Sequence, residues 1–356
     1  MNNPTSTKTG EVRSIEAKMK TEYLPFSSEM IPEAGKLLAK RHICNRQVLP
    51  LLPARLEDPE DASNAVESLW QSKFRNGYGA FRHGEMLAYL IGDFEDQPWA
   101  RSGYVYLPGY ALAGGESVAI LQDLYALLGE DWVRRGIFSH NLYISTADND
   151  VIQGLFTIGF GQERVDALLD LRTLEIPSLD EPEGVIIRRA GKGDEDYLGS
   201  VAYVMINALS SAPYWLPIPP ESTISWKERW ASRADDKEWM IWMALENDKA
   251  VGTVAFLFHH PTSLEQDAEL QMLASASTLT LGTAVTRPEV RGRGIANILT
   301  WRGLEQARTD GFEICLVNWI GPNLLASRYW PRFGFQPAAY RLSKQVHPMI
   351  AGAKVE

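Results

Sequence analysis

The stretch that decides the fold is Leu281-Gly-Thr-Ala-Val-Thr-Arg-Pro-Glu-Val-Arg-Gly-Arg-Gly-Ile-Ala-Asn-Ile-Leu-Thr300. Its beginning continues a run from Thr278 to Val285 that is rich in apolar and β-branched residues, which predicts a strand. A proline and two closely spaced glycines follow, and apolar residues then recur at helical spacing. The stretch therefore predicts a strand, a tight loop and an amphipathic helix that packs on a sheet.

The loop within this stretch has the composition of an anion-binding site. Gly292 and Gly294 allow the backbone to turn tightly and to approach another molecule closely. The start of the following helix presents free backbone N–H groups. Arg291 and Arg293 oppose the helix dipole at this end unless an anion lies between them. The loop therefore predicts phosphate or pyrophosphate binding, although it is neither a Walker loop nor a complete dinucleotide fingerprint.

Two motifs carry a resemblance to a known family. The loop matches Arg/Gln-x-x-Gly-x-Gly/Ala, and the later segment Asn323-Leu-Leu-Ala-Ser-Arg-Tyr-Trp-Pro-Arg-Phe-Gly-Phe335 follows in the expected order. On these motifs the second half of the chain resembles the GNAT superfamily of acyl-CoA-dependent N-acyltransferases. The resemblance implies acetyl-CoA, or another short acyl-CoA, as the donor, and it implies no metal.

The same resemblance assigns residues to the donor. In the family, the strand end pairs with the pantetheine arm, and the loop amides hold the pyrophosphate. The cofactor-binding residues implied here are Ala284, Val285, Arg291, Gly292, Arg293, Gly294, Ile295, Ala296 and Asn323. A backbone N–H on the strand near Val285 is expected to hold the oxyanion of the reaction.

The catalytic side chains are less well defined. The position of the family's proton-donating tyrosine holds Trp330, and an indole is no acid near neutral pH. Tyr329, about 100° away round the helix, is therefore the candidate general acid. A proton acceptor is also needed, because only an uncharged amine attacks a thioester. The candidate bases are His259 and Glu289 first, then His260, Asp267 and Glu269, and each is also explained as an ordinary solvated residue.

Two further features bear on the pocket. The segment Ser210–Pro220 is rich in proline and aromatic residues, and Trp226 and Trp230 follow at helical spacing. These aromatic residues form either an apolar lid over the acceptor or part of the core. Direct attack on the thioester needs no covalent enzyme intermediate, so Cys315 is expected to be a core residue.

An internal repeat divides the chain. A helix, a glycine and a strand recur at Gly136 and Gly311, and a Gly-Phe pair recurs at Gly159 and Gly334, both 175 residues apart. With this shift, Arg291-Gly-Arg-Gly294 falls on Glu116-Ser-Val-Ala119, so the first copy has lost the cofactor loop. The layout resembles the tandem GNAT proteins, of which the mycothiol synthases are one group.

The repeat leads to a prediction of the whole architecture. The fold class is α/β, with two tandem GNAT-like domains, each a mostly antiparallel mixed sheet flanked by helices. The boundaries are a mobile tail at 1–21, a degenerate N-terminal domain at 22–173, a linker at 174–184 and a catalytic C-terminal domain at 185–348.

Composition limits the function further. The chain has 356 residues, 45% of them hydrophobic, two cysteines and a formal net charge of −10. This balance argues against nucleic-acid binding, and neither a membrane span, a signal peptide, a disulfide framework nor a metal site is indicated. We expect a cytoplasmic monomer or homodimer that acylates a small-molecule amine. The alternatives are acylation of a protein or peptide amine, or a non-catalytic acyl-CoA sensor or assembly module.

Overall fold

The computed structural model describes residues 20–97, 100–178, 180–260 and 267–352. Residues 1–19 of the predicted tail lie outside this part. The chain forms two compact units: unit 1 is Met1–Gln162 with Tyr340–Glu356, and unit 2 is Glu163–Ala339. Each unit thus includes a short segment from the other half of the sequence. The predicted domain boundaries follow the sequence repeat rather than compactness, and they stay a prediction.

Unit 1 is a mixed sheet with helices. Its elements are β1 (Glu22–Pro25), α1 (Ile31–Val48), α2 (Pro59–Trp70), β2 (Asn76–Arg82), β3 (Glu85–Gln97), β4 (Ala100–Val105), β5 (Tyr110–Leu112), α3 (Ala119–Arg134), β6 (Ser139–Ser145) and α4 (Asn149–Thr157). The strand order is β1-β2-β3-β4-β6, and β5 pairs with β3. The ladders among these strands are antiparallel, apart from the parallel pair β4–β6.

Unit 2 repeats this arrangement. Its elements are β7 (Gly161–Asp170), β8 (Val185–Arg189), α5 (Glu195–Ser210), α6 (Pro220–Ser232), β9 (Trp239–Glu246), β10 (Lys249–Phe258), β11 (Thr278–Thr286), α7 (Ile295–Thr309), β12 (Ile314–Ile320), α8 (Leu324–Tyr329) and β13 (Gln336–Gln345). The strand order is β7-β12-β11-β10-β9-β8, with only β11–β12 parallel among these pairs. Residues 163–170 of β7 belong to this unit, and residues 340–345 of β13 belong to unit 1.

The registers confirm the predicted tandem architecture. In the hairpins β2–β3 and β9–β10, Ala80 pairs with Ala88, and Ala244 pairs with Gly252, so equivalent positions lie 164 residues apart. Each of these hairpins turns through two residues of positive φ, His83-Gly84 and Asn247-Asp248. Further along, β7 and β13 begin and end 175 residues apart. The smaller offset upstream reflects loops of different length between the two repeats.

Each unit has its own core. In unit 1, Trp132 of α3 lies so close to the sheet that a Cβ on Gly103 would be 2.7 Å from its ring. In unit 2, Trp230 is 3% exposed and packs with Leu198 and Met243. Trp230 is therefore a core residue, and Cys315, which is fully buried in β12, is one as well, as expected. Within the described residues, no helix combines the length and hydrophobicity that crossing a bilayer requires.

Candidate functional site

The two central strands of unit 2 diverge. The parallel pairing of β11 with β12 runs from Thr278 and Ile314 to Leu281 and Val317, and it ends there. Beyond that point β11 continues along β10 as far as Thr286. A register shift in this ladder leaves Gly282 as the extra residue of a β-bulge. The bulge bends β11 away from β12 and opens a gap between the two strands.

Backbone groups of β11 face this gap. Arg287 donates its N–H to the carbonyl oxygen of Val251 on β10, at 2.9 Å. Antiparallel pairing alternates direction along a strand, so Val285 also faces β10, whereas Ala284 and Thr286 face the gap. The carbonyl of Thr286 accepts a bond from Arg291 Nε at 3.2 Å, which agrees with that orientation. The N–H groups that face the gap are therefore those of Ala284 and Thr286, on either side of Val285, and we take the Ala284 N–H, deeper in the gap, as the candidate donor.

The glycine loop follows the gap directly. Gly292 and Gly294 both have φ of +81°, a conformation that a side chain would strain. No atom lies within 4 Å of a Cβ built on either glycine, so the space outside the loop is open. Arg293 is paired with Glu246 on β9, at 2.8 Å between Nη2 and Oε1. Helix α7 begins at Ile295, which is buried, as the amphipathic pattern predicts.

A cleft of about 280 Å³ brings together segments that the sequence analysis treated separately. Its walls come from α5, from the loop at residues 211–214, and from Pro288, Arg291 and Asn323. Asn323 also caps α8, since its Oδ1 accepts the N–H of Ala326 at 3.4 Å. Arg291 and Asn323, two of the residues predicted to bind the acyl-CoA donor, thus line the same cavity.

The proline-aromatic segment is divided between the cleft and the surface. Pro213 and Tyr214 line the cleft, and the Tyr214 hydroxyl lies 3.2 Å from Glu163 Oε1. Trp215, by contrast, is 66% exposed, and Trp226 is half-buried. The segment therefore forms one wall of the cleft, while Trp230 belongs to the core.

Two residues that do not line the cleft, Arg287 and Glu163, bond to residues that do, and the sequence analysis did not identify either of them. Arg287 ties α5 to the sheet: its Nε donates to the carbonyl of Ala250 at 2.6 Å, and its Nη2 donates to Ser200 Oγ at 3.2 Å. Glu163 lies on the part of β7 that belongs to unit 2, and it accepts a hydrogen bond from Tyr214 in the wall of the cleft. Neither residue belongs to a motif, and Glu163 lies 51 positions before its partner, so no local signal identifies it.

The candidate bases lie in different environments. His259 Nε2 is 2.6 Å from Thr280 Oγ1 on β11, and burial lowers the pKa of His259. The imidazole is therefore neutral near pH 7, the form that accepts a proton. Glu289 is exposed on a short 3-10 turn, and His260 is exposed as well.

The two acidic candidates behave differently from each other. Glu269 is paired with Arg164 of β7, at 3.0 Å between Oε2 and Nη2. Asp267 is exposed, and partial desolvation raises its pKa. The raised pKa shifts the basicity of Asp267 towards that of a proton acceptor.

The acid candidate and its neighbour face the inside of unit 2. The Tyr329 hydroxyl lies 3.0 Å from Thr300 Oγ1 on α7, and burial raises the pKa of Tyr329, which keeps the phenol protonated. Trp330 is 5% exposed and packs against Phe333 and Phe335, so its indole serves the core. Among the described residues that line the cleft, Tyr329, His259 and Glu289 do not appear.

Comparisons with known proteins agree with this geometry. Residues 203–335 match the model of the acetyltransferase (GNAT) family. None of the curated proteins matches the chain.

Solved structures extend the likeness to both units. A GCN5-related N-acetyltransferase from Sphaerobacter thermophilus is similar, with 17% identity, a TM-score of 0.56, and coverage of 91% of this chain and 95% of that chain. A tandem GNAT protein from the clavulanic acid biosynthesis pathway is similar as well, with 13% identity, a TM-score of 0.52, and coverage of 92% and 98%. The similarity in sequence to the acetyltransferase (GNAT) family thus covers residues 203–335. The chain as a whole has the tandem GNAT fold.

Proposed function

We propose that the chain is an N-acyltransferase that moves an acetyl or other short acyl group from acyl-CoA to an amine. The observation that carries the proposal is the gap between β11 and β12, which opens directly into the glycine loop at the start of α7. A neutral amide arm and a diphosphate are complementary to these two neighbouring features, the first to a free strand edge and the second to a helix N-terminus. Unit 2 is accordingly the donor-binding unit.

The residues of the gap can stabilise the reaction. The arm of the donor would lie along β11, and the Ala284 N–H would hold the thioester oxygen as it gains negative charge. The amine attacks the carbonyl carbon directly, the C–S bond breaks, and CoA leaves as the thiolate. This path needs no nucleophile from the protein, in agreement with the full burial of Cys315.

Two proton transfers complete the reaction. His259 is the proposed base: it is neutral, and it is hydrogen-bonded to Thr280 on the strand that carries Ala284. Because His259 lies outside the cleft lining, the proton of the attacking amine would reach the imidazole through an intervening water. Tyr329 is the proposed acid for the leaving thiolate, and its hydroxyl must turn away from Thr300 to act. Glu289, exposed before the loop, is the reserve candidate for the base.

The acceptor is proposed to be a small-molecule amine. The cleft is of modest volume, about 280 Å³, and the segment at 211–214 closes one side of it. Such a cavity suits a compact acceptor better than a peptide, which would need an open groove.

The experiment is a thiol-release assay with acetyl-CoA and a panel of small amines, with the acylated product identified by mass. Saturable release that depends on one class of amine supports the proposal. Hydrolysis of acetyl-CoA without any acylated amine, or CoA binding without turnover on the panel, contradicts it.

A second candidate function rests on one observation. Trp330 occupies the position of the expected acid and is buried, while Tyr329 is bound to Thr300. A unit that binds acyl-CoA without transferring the acyl group, as a sensor or assembly module, would need no acid. Tight CoA binding with no turnover on any amine would favour this function.

A further inference from the structure

Unit 1 has a strand gap equivalent to the one in unit 2, and the inference below rests on the function proposed for that gap. The parallel pair β4–β6 ends at Val105 and Leu142, just as β11–β12 ends at Leu281 and Val317. A 3-10 turn at Leu107–Gly109 then interrupts the chain, and β5 continues along β3 alone. The second part of β6 therefore faces a gap.

A tyrosine side chain bridges this gap. The Tyr110 hydroxyl, from β5, accepts the backbone N–H of Ser145 at the end of β6, at 3.0 Å. The same hydroxyl donates to Asp148 Oδ2 at 2.8 Å. Tyr110 is only 1% exposed, so the ring fills the space between the two strands.

An arginine occupies the backbone acceptors along the edge of the gap. Arg41 of α1 donates through Nη1 to the carbonyl oxygens of Leu107 and Tyr110, at 3.0 and 2.6 Å. Its guanidinium stacks 3.6 Å from the centre of the Tyr110 ring. Asp148 balances the charge, with 2.8 Å between Oδ2 and Arg41 Nε. Hydrogen-bond groups that an amide arm would use are thus already satisfied inside the protein.

The equivalent positions of unit 2 lack these groups. Tyr110 pairs with Leu90 and Ala284 pairs with Val254, at matching places in the two ladders. An alanine methyl leaves open the space that the phenol ring fills. Helix α5 lines the cleft of unit 2 with Tyr203, Val204 and Asn207 and with no cation among its described residues there. The filled gap of unit 1 therefore differs from the open gap of unit 2 in a few side chains and in the 3-10 turn that interrupts the strand.

The surroundings of the filled gap also disfavour a polyanion. A cavity of about 750 Å³ lies against it, and the loop Gly114–Val118 forms part of its wall. Its described lining contains one cation, Arg41, and three carboxylates, Glu116, Asp148 and Asp150. The lining thus carries a formal charge of −2, or −1 together with Arg82, which pairs with Glu116, and this negative charge disfavours a diphosphate.

We propose that Arg41, Tyr110 and Asp148 form an internal plug that takes the place of the acyl-CoA arm in unit 1, so that only unit 2 binds the donor. The plug provides the volume, the hydrogen-bond donors and the acceptor that a bound arm would otherwise provide. The tandem fold offers two strand gaps to an acyl-CoA donor, one in each unit. The side chains of unit 1 do not fit the donor in the gap of that unit.

The test uses amide hydrogen exchange of the full chain with two probes, CoA and pantetheine. Pantetheine carries no phosphate, so it reports on the gap without the charge of the loop. We expect each probe to slow exchange at least twofold in residues 282–296 and to leave residues 107–118 unchanged. Slowing in both segments overturns the plug while the proposed function stands. Slowing in neither segment contradicts the proposed function and, with it, this inference.

A variant provides the opposite test. Arg41→Met, Tyr110→Ala and Asp148→Asn together remove the plug without leaving a lone buried charge. If the variant keeps its circular dichroism spectrum, we expect pantetheine to slow exchange at residues 107–112 as well. A folded variant in which that segment stays unprotected overturns the inference. If the variant does not fold, the wild-type measurement still decides the matter.

Discussion

The two units differ clearly at the loop before the third helix of each unit. In unit 2, Gly294 has φ of +81° and precedes α7, whereas in unit 1 Val118 has φ of −59° and precedes α3. The helix starts thus place Val118, rather than the expected Ala119, opposite Gly294. Glu116 of the same loop is bound by Arg82, at 2.8 Å between Oε1 and Nη1.

Both units have the same fold, but only unit 2 has the proposed donor site. The strand gap, the turn and the helix persist in both copies, because the sheet registers and the core maintain them. Side chains at the edge of the gap, together with the conformation of the loop, distinguish the open site of unit 2 from the filled, acidic cavity of unit 1. Substitutions at matched positions can therefore test the difference.

The largest expected effect is that of Gly294→Glu. A side chain at this positive φ strains the loop, and the carboxylate repels the diphosphate. We expect the affinity for CoA to fall about a thousandfold, or about 4 kcal/mol, by isothermal titration calorimetry.

The matched control is Val118→Glu in unit 1, where the backbone accepts any side chain. We expect its CoA affinity to equal that of the wild type. Unchanged affinity in Gly294→Glu would show that the loop is not the anion site.

The next effect concerns stability against acid. His140 is fully buried in β6 between Tyr125 and the carbonyl of Ile137, and desolvation lowers its pKa to about 4. The unfolded chain binds a proton below about pH 6.5 and the folded chain only below about pH 4, so the free energy of unfolding falls as pH drops between these values. The His140 contribution is roughly 3 kcal/mol over that range.

Urea unfolding at pH 7 and pH 4 measures this contribution as the difference between the wild type and His140→Gln. The equivalent position in unit 2 is Cys315, whose thiol stays neutral because burial raises its pKa, so Cys315→Ser is the control. We expect the pH dependence to shrink in His140→Gln alone. Equal pH dependence in the wild type and in His140→Gln would show that His140 does not carry the effect.

The third prediction separates catalysis from sensing. If Tyr329 donates a proton to the thiolate, Tyr329→Phe lowers kcat about a hundredfold and leaves KM unchanged. Thr300→Val is the control: it removes the partner of the hydroxyl but keeps the acid, so kcat should change by less than about threefold. Full turnover by Tyr329→Phe would remove this residue from the mechanism.

The smallest effect is expected at Arg293. Its guanidinium is partly exposed and already paired with Glu246, so it contributes a modest attraction to an anion. We expect Arg293→Gln to weaken CoA binding about fivefold at low salt, and by less as salt screens the charge. The equivalent residue of unit 1, Ser117, provides the control Ser117→Gln, for which no change is expected. A loss of CoA affinity that did not depend on salt concentration would indicate a structural role for Arg293.

Much of the fold followed from the sequence because its signals are local. The amphipathic pattern of α7 and the turns at Gly292 and Gly294 depend on neighbouring residues, and the structure has them where they were predicted. The repeat was also visible, because equivalent helices and strands keep a constant spacing. The oxyanion donor was predicted near Val285, and the direction of pairing with β10 shows only that the N–H of Val285 itself faces β10.

Other features could not be predicted from the sequence. The Arg41 bonds join residues 66 and 107 positions apart, and the Tyr214–Glu163 bond joins residues 51 positions apart. Such pairs depend on which strands become neighbours, and no local pattern specifies that.

The sequence by itself determined the tandem fold, the glycine loop and the inequality of the two copies, because these follow from local backbone preferences, apolar periodicity and charge. Only the tertiary structure decided which strand completes each unit, which backbone N–H groups face the gap of unit 2, and that Tyr110 and Arg41 fill the gap of unit 1. The physical reason is that these outcomes depend on packing and hydrogen bonds between segments that are distant along the chain.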